Sequence, residues 1–188
     1  MVIKIIKDAD LGTGLKNKKL NNPSTRFASR GIIVRADGKI GLFHKANKNE
    51  YKLPGGGIEN EKPKEAFLRE IMEETGCEVE ITKFLGTIEE HKTANNFKQV
   101  SYVFVAKLLN DTHTLHLTEK EKLEGAEFMW ATVDESLELI KNSFNNLKAS
   151  NSNVNLTEQE SVYMTQFVIK RDETILNYYK NLLGNNKI

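Results

Sequence analysis

The stretch PGGGIENEKPKEAFLREIMEETG, from Pro54 to Gly76, joins three consecutive glycines to a segment with helical periodicity. At about 100° per residue, residues 64–75 divide into two faces. The acidic face carries the carboxylates of Glu70, Glu73 and Glu74. The opposite face is apolar and consists of Phe67, Leu68, Ile71 and Met72. We therefore predict an α-helix over residues 64–75 whose apolar face packs on a sheet.

The acidic face is unfavourable for an isolated helix. Like charges three or four residues apart cost roughly 0.2–0.5 kcal/mol per pair, and the last helical turn prefers cations. Arg69 offsets part of this repulsion, and a divalent cation would offset more, since Mg²⁺ binds carboxylates together with phosphates and water. Glycines allow the preceding turn to bring backbone groups close to such a ligand. The alternative is that the acidic face is only solvated.

The complete spacing favours the ligand. Five residues separate Gly55 from Glu61, seven separate Glu61 from Arg69, and the segment continues as REIMEETG to Cys77. This pattern resembles the Nudix box, G-x5-E-x7-R-E-U-x-E-E-x-G-U, in which U is a bulky apolar residue. The sequence differs from it at the last position, which is Cys77. Its turn is also one residue shorter before Glu61 than the commoner family form.

The resemblance implies an α/β fold, a Nudix-type α/β/α sandwich with a mixed β-sheet. It also implies hydrolysis of a diphosphate linked to another group, with Mg²⁺ as the cofactor and Mn²⁺ as the alternative. The implied metal ligands are Glu70 and Glu74, a carbonyl near Gly55, and Glu73 directly or through water. Arg69 would orient Glu70. Catalysis would thus depend on Glu70, Glu74 and Arg69 together.

Some proteins of this family take a general base from outside the box. The segment LTEKEKLEGAEFMW offers three glutamates, Glu119, Glu121 and Glu124, before a strand that contains Trp130. A base must reach hydrogen-bonding distance of the attacking water, which sequence does not show. We select Glu121 as the predicted base. The alternative is that all three are solvated loop charges.

Residues that contact the substrate are less evident from the sequence. Five basic side chains precede the box and are candidates for phosphate contacts: Arg26, Arg30, His44, Lys45 and Lys52. Three aromatic side chains, Tyr102, Phe104 and Trp130, could stack on a base or belong to the core. His113 and His116 have a spacing seen in zinc sites, but no third ligand is nearby in the sequence, so we do not predict zinc.

Strand patterns surround the predicted helix. Strands are predicted at 1–7, in a hairpin over 27–46 that turns at Asp37-Gly38, and at 50–54, 78–90, 98–109 and 126–133. A helix is predicted at 134–147, with Asp134 as its N-cap. The order predicts a sheet covered by helices on both faces.

The region after residue 148 extends beyond a minimal domain. We predict a Nudix hydrolase domain over 1–148, followed over 149–188 by a polar linker and an additional C-terminal helix. The helix, over about 157–183, carries an apolar stripe of Met164, Phe167, Ile175 and Tyr179. Such a stripe predicts packing on the same domain or at a subunit interface, and the second option implies a homodimer.

Composition limits the classes of partner. With 27 basic and 26 acidic side chains in 188 residues, the chain has no global field for nucleic acid or an anionic membrane. Its single cysteine permits no intrachain disulfide and fits a cytoplasmic location. The leading hypothesis is a hydrolase that cleaves a diphosphate linkage in a nucleoside diphosphate derivative: a nucleotide sugar, a dinucleoside polyphosphate or an oxidised nucleotide. The alternative is a non-catalytic module that senses a nucleotide.

Overall fold

A mixed β-sheet forms the centre of the molecule, which the computed structural model describes over residues 1–149 and 156–185. Its strands within these residues are β1 (Val2–Lys7), β2 (Ser24–Val34), β3 (Ile40–Lys45), β4 (Glu50–Lys52), β5 (Gly55–Gly57), β6 (Cys77–Lys92), β7 (Phe97–Asp111) and β8 (Ala126–Ala131). They lie in the order β1-β6-β7-β2-β3-β4, with β5 paired to β2 and β8 paired to β3. β1 with β6 and β2 with β7 are parallel pairs, and the other pairs are antiparallel.

Helices cover both faces of this sheet. They are α1 (Pro63–Thr75), α2 (Glu119–Leu123), α3 (Val133–Ala149) and α4 (Leu156–Gly184). Phe67 and Ile71 of α1 pack with Ile33 on one face. On the other face, Ile32 shares a core with Ile140 of α3 and with residues of α4. Because the side chains of neighbouring strand residues point to opposite faces of the sheet, Ile32 and Ile33 pack in different hydrophobic layers. The predicted α/β/α sandwich with an additional C-terminal helix is confirmed.

The predicted hairpin is also confirmed, with one boundary moved. Gly38 has a φ of +81° in the turn, and Arg35 N–H donates to the carbonyl oxygen of Lys39 at 2.9 Å. β2 begins at Ser24, earlier than the predicted start at 27, because residues from Ser24 onward pair in parallel with β7 from Phe97 onward. That pairing partner lies more than seventy residues along the chain, so a local pattern does not reveal it.

Three local predictions were wrong. The glycines predicted as a loop form β5, whose backbone pairs with Ala28–Arg30 of β2. No helix was predicted between the strands at 98–109 and 126–133, but α2 lies there, with Thr118 as its N-cap. Asp134 is not the N-cap of α3. Thr132 fills that role, since its carbonyl accepts the bond from Ser136 N–H, and its Oγ1 accepts one from Glu135 N–H at 3.2 Å.

α4 follows the prediction for residues 157–183 closely and extends it by one residue at each end. It packs against α3, β1, β4 and β6. The predicted polar linker over 148–155 lies mostly outside the described residues. None of the helices in the described part of the chain has the length and apolar character required to cross a membrane.

Candidate active site

Local signals fix the start and end of α1. Pro63 occupies the first turn, where its missing N–H costs nothing, and Glu65 Oε2 accepts a hydrogen bond from Lys62 N–H at 3.0 Å. Gly76 ends the helix with a φ of +66°, and a Cβ there would lie 2.6 Å from the carbonyl oxygen of Thr114. These limits hold the acidic face in a fixed position beside β5.

Arg69 joins the carboxylates around it. Its guanidinium donates to Glu61 Oε1 at 2.7 Å, to Glu70 Oε1 at 2.9 Å and to Glu73 Oε2 at 2.9 Å. Nη2 also donates to the carbonyl oxygen of Gly57 at 3.0 Å. Hydrogen bonds to Glu61 raise the pKa of Arg69 above its ordinary value and lower that of Glu61. Arg69 therefore ties the turn, the helix and the β5 backbone into one unit.

Glu74 is the buried carboxylate of this unit. Gly55 N–H donates to its Oε2 at 2.6 Å, and Lys52 Nζ donates to its Oε1 at 2.7 Å. Burial raises the pKa of the nearby Glu70 carboxyl, and the negative charge of Glu74 raises it further. Arg69 offsets only part of this rise. Burial and the charge of Glu74 therefore disfavour the ionised form of Glu70, an effect that a bound cation would oppose.

A cavity of about 330 Å³ opens beside these two carboxylates. Gly55, Gly56, Gly57, Glu70 and Glu74 form one side. Six cationic side chains also line it: Arg26, Arg30, Lys45, Lys52, Lys92 and Arg171. The volume is in the range of pockets that hold small molecules.

Three of these cations are buried together. Burial and the charge of Arg171 lower the pKa of Arg30 to about 10. Burial also lowers the pKa of Lys92, and Arg171 and Arg30 contribute to this effect although Glu90 opposes it. Arg171 itself is balanced by Asp172, at 2.7 Å between Nε and Oδ1, and by Glu90. An anion in the cavity would relieve the repulsion that remains among the cations.

Helix α4 is tied to the glycine strand by this network. Asp172 Oδ2 accepts a hydrogen bond from Leu53 N–H at 3.0 Å, two residues before Gly55. Asp172 is fully buried and Arg171 is nearly so. The position of α4 thus fixes one wall of the cavity relative to the backbone of Gly55.

The residues of the cavity fit a divalent metal ion. The backbone of Gly56 approaches the acidic helix so closely that a Cβ there would lie 2.3 Å from Glu70 Oε2. The glycine backbone and the Glu70 carboxylate therefore lie side by side, and carboxylate and carbonyl oxygens are donor types that Mg²⁺ prefers. Across residues 1–149 and 156–185, no three side chains of His, Cys, Asp or Glu form a metal site on their own. The donor set suits an ion that also takes oxygens from backbone, water and substrate.

The structure brings Glu121 to the same cavity. Its Oε2 accepts hydrogen bonds from Thr118 N–H at 2.9 Å and from Thr118 Oγ1 at 2.7 Å, so it also caps α2. Glu119 is instead exposed and pairs with Lys122. Burial alone would raise the pKa of Glu124, but hydrogen bonds from Lys45 and Lys48 lower it to about 2. Of the three candidates for a base, Glu121 is the one that lines the cavity.

Several residues named from the sequence lie elsewhere. The carboxylate of Glu73 pairs with Arg69 and does not line the cavity. His44 stacks on Tyr51, with ring centroids 4.0 Å apart. The three candidate stacking residues, Tyr102, Phe104 and Trp130, do not line the cavity either. Phe104 belongs to the core beneath α1, and Tyr102 and Trp130 pack against that core.

The sequence reasoning missed six residues that line the cavity: Glu50, Lys92, Gln99, Met164, Val168 and Arg171. Glu50 begins β4, and the others come from β6, β7 and α4, far from the box in the chain. Among these residues, only Met164 and Val168 show a pattern in the sequence: they are one helical turn apart, which places them on the same face of a helix.

Known proteins are similar in sequence to part of this chain. A MutT-like protein from Streptomyces ambofaciens is 31% identical over 106 residues, which cover 56% of this chain and 62% of that protein. An RNA pyrophosphohydrolase from Hydrogenovibrio crunogenus is 27% identical over 113 residues, covering 53% of this chain and 68% of that protein. The chain therefore spans less than two thirds of the length of the Streptomyces protein.

A solved structure and a family model complete the comparison. A NUDIX hydrolase from Nitrosomonas europaea superimposes with a TM-score of 0.51 at 18% identity, over 75% of this chain and 89% of that one. At this identity the likeness concerns the fold alone. The model described as the NUDIX domain matches residues 25–150, which include α1, β5 and every acidic residue of the cavity. The chain belongs to the NUDIX domain family.

Proposed function

We propose that the chain is a Mg²⁺-dependent hydrolase that cleaves a diphosphate linkage in a nucleoside diphosphate derivative, with Mn²⁺ as the alternative ion. The observation that carries this proposal is the single cavity that joins Glu70 and Glu74 to a wall of cationic side chains. Carboxylates suit the metal and cations suit the phosphates, so the two sets together suit a metal-bound diphosphate. The RNA pyrophosphohydrolase relative supports the same type of reaction.

The metal would be held by Glu70, Glu74 and the carbonyl of Gly55, while Glu73, which pairs with Arg69 outside the cavity lining, would act through Arg69. A bound divalent cation supplies Lewis acidity for in-line displacement at phosphorus. Arg69 keeps the Glu70 carboxylate in place through its bond to Oε1. Gly55 N–H does the same for Glu74 through Oε2.

The other cavity residues would bind the substrate and handle the proton. Arg30, Lys92 and Arg171 attract the phosphates, since an anion relieves their mutual repulsion. Lys52 neutralises Glu74 and reaches the same cavity. Glu121 is the general base in this proposal: rotation away from Thr118 would free its carboxylate to accept a proton from the attacking water.

The partner in this proposal is a small molecule, and the location is cytoplasmic. The formal net charge of +1 offers no field for nucleic acid, and the cationic side chains of the cavity suit a small phosphate ligand. A screen against nucleotide sugars, dinucleoside polyphosphates and oxidised nucleotides, with and without EDTA, tests the activity. Inactivity across the panel combined with tight Mg²⁺-dependent nucleotide binding would favour a sensing module instead.

Mg²⁺ should stabilise the folded protein directly. An ion that binds only the native state, at a concentration of 100 times its Kd, adds about 2.7 kcal/mol, which raises the Tm of a domain of this size by roughly 5–10 °C. The measurement is a thermal melt with MgCl₂ against KCl at equal ionic strength. An equal rise in the Glu74→Gln variant would contradict the assignment of Glu74.

Arg69→Lys should weaken Mg²⁺ binding and turnover about 10–100-fold, as expected for loss of a residue that orients metal ligands. The ammonium group of lysine is compact and has three N–H donors. It cannot bond Glu61, Glu70, Glu73 and the Gly57 carbonyl at the same time, as the guanidinium does. A Mg²⁺ titration of activity and a calorimetric titration with MgCl₂ measure both effects. Arg35→Lys, at an exposed ion pair with Asp37, is the matched control. Unchanged Mg²⁺ affinity in Arg69→Lys would show that the positioning role is wrong.

A further inference from the structure

The cavity is polar on almost every side. Among the described residues that line it, two carry aliphatic or thioether side chains, Met164 and Val168, and the others are charged, amide or glycine residues. Both belong to α4, which lies outside the matched family region of residues 25–150. Any apolar part of a ligand in this cavity therefore has one wall to contact.

The spacing of Met164 and Val168 along α4 places both side chains on the same face of the helix. Met164 and Val168 are four residues apart, and Arg171 follows three residues later, so all three lie along one stripe of the helix. Toward the C-terminus the same stripe continues into the buried core at Ile175. The first half of the stripe faces the cavity and the second half anchors the helix.

The buried part of α4 also fixes the position of Met164 and Val168. Arg171 pairs with Glu90 of β6, and Asp172 accepts a hydrogen bond from Leu53 N–H. Leu53 precedes the glycines that face Glu70 and Glu74. Met164 and Val168 are thus held at a fixed place relative to the acidic side of the cavity.

We propose that α4 recognises the nucleoside end of the substrate through Met164 and Val168, while the acidic and cationic sides hold the diphosphate. This inference rests on the proposed function and adds the residues that select the group attached to the diphosphate. The ring faces of a nucleobase are apolar, and a methionine sulfur makes favourable contacts with aromatic rings. A bare pyrophosphate has no such face and needs only the polar sides.

The test compares ADP with inorganic pyrophosphate, each titrated calorimetrically in the presence of MgCl₂. The double variant Met164→Ala/Val168→Ala should bind ADP about 10-fold more weakly, the low end of what a lost apolar contact changes. Its affinity for pyrophosphate should stay within about twofold of the parent. Met164→Leu should retain ADP binding, because leucine conserves apolar volume. Leu183→Ala, at an exposed leucine near the end of the same helix, is the matched control.

The outcomes separate this inference from the proposed function. Selective loss of ADP affinity supports the role of α4. Equal weakening of both ligands, or no change for either, overturns that role even if metal-dependent hydrolysis is established. A parent protein that binds neither ligand with Mg²⁺ overturns the proposed function and the inference together. On the panel of active substrates, a rise in KM without a matching fall in kcat would be the kinetic counterpart of selective loss.

Discussion

We expect the Glu74→Gln variant to lose at least about 100-fold in kcat with Mg²⁺, comparable to removal of one strong electrostatic contact from a transition state. The substitution removes the charge that would hold the metal. It also places an NH₂ group against one of two donors, Gly55 N–H or Lys52 Nζ. The measurement is hydrolysis of the best substrate from the panel, with circular dichroism to verify that the variant is folded.

The control for this experiment is Glu78→Gln. Glu78 is an exposed glutamate on β6, just beyond the box, and its loss should leave kcat within about twofold, because exposed charges away from the site contribute little. Hydrolysis that survives both EDTA and Glu74→Gln would rule out the proposed metal mechanism. Loss of activity in the Glu78 variant as well would point to a general effect of charge.

The largest effect on stability should come from Asp172→Ala, at about 3–5 kcal/mol. Burial alone lowers the pKa of the Arg171 guanidinium, but Asp172 and Glu90 raise it above its ordinary value, so the charge persists inside the protein. Without Asp172 this buried charge loses its nearest partner, and Leu53 N–H loses its acceptor. Urea unfolding, analysed with the m-value held common, measures the difference.

Asp134→Ala provides a matched comparison, because Asp134 of α3 also contacts α4, through an ion pair of 2.5 Å between its Oδ1 and Lys180 Nζ. That pair is exposed, so its loss should cost less than about 1 kcal/mol. The double variant Arg171→Met/Asp172→Leu should recover part of the stability, since apolar residues can replace a buried pair. If Asp172→Ala is no more destabilising than Asp134→Ala, the buried network is not a major source of stability.

Local spacing was sufficient to predict the acidic side of the site. Helix α1, the burial of Phe67 and Ile71 and the bond of Arg69 to Glu70 all follow from residues within a single helix and the turn before it. Leu68, predicted on the apolar face, is instead exposed. Lys52, Lys45, Arg30 and Arg26 were named from their position before the box, and all four line the cavity. His44 was named on the same basis but stacks on Tyr51 instead.

The remaining side of the site depends on contacts between distant parts of the chain. Lys92 and Gln99 sit where β6 and β7 pair, and Arg171 arrives on α4 about a hundred residues after the box, so no local pattern places them together. The glycine strand depends on pairing with β2 for the same reason. By contrast, α2 could have been found: Thr118 and Glu121 are spaced as a capping box.

The hydrogen bond from Leu53 N–H to Asp172 also bears on synthesis of the chain. Chains are made from the N-terminus, and domains generally fold as their residues become available. The strands β1 to β8 can form the sheet, and α1 can pack on it, before α4 has been synthesised. The side of the cavity that α4 forms is complete only after residue 172 has been made. Helix α1 is therefore complete early and the cavity late, so a nascent chain stopped before α4 would carry Glu70 and Glu74 without the wall that α4 supplies.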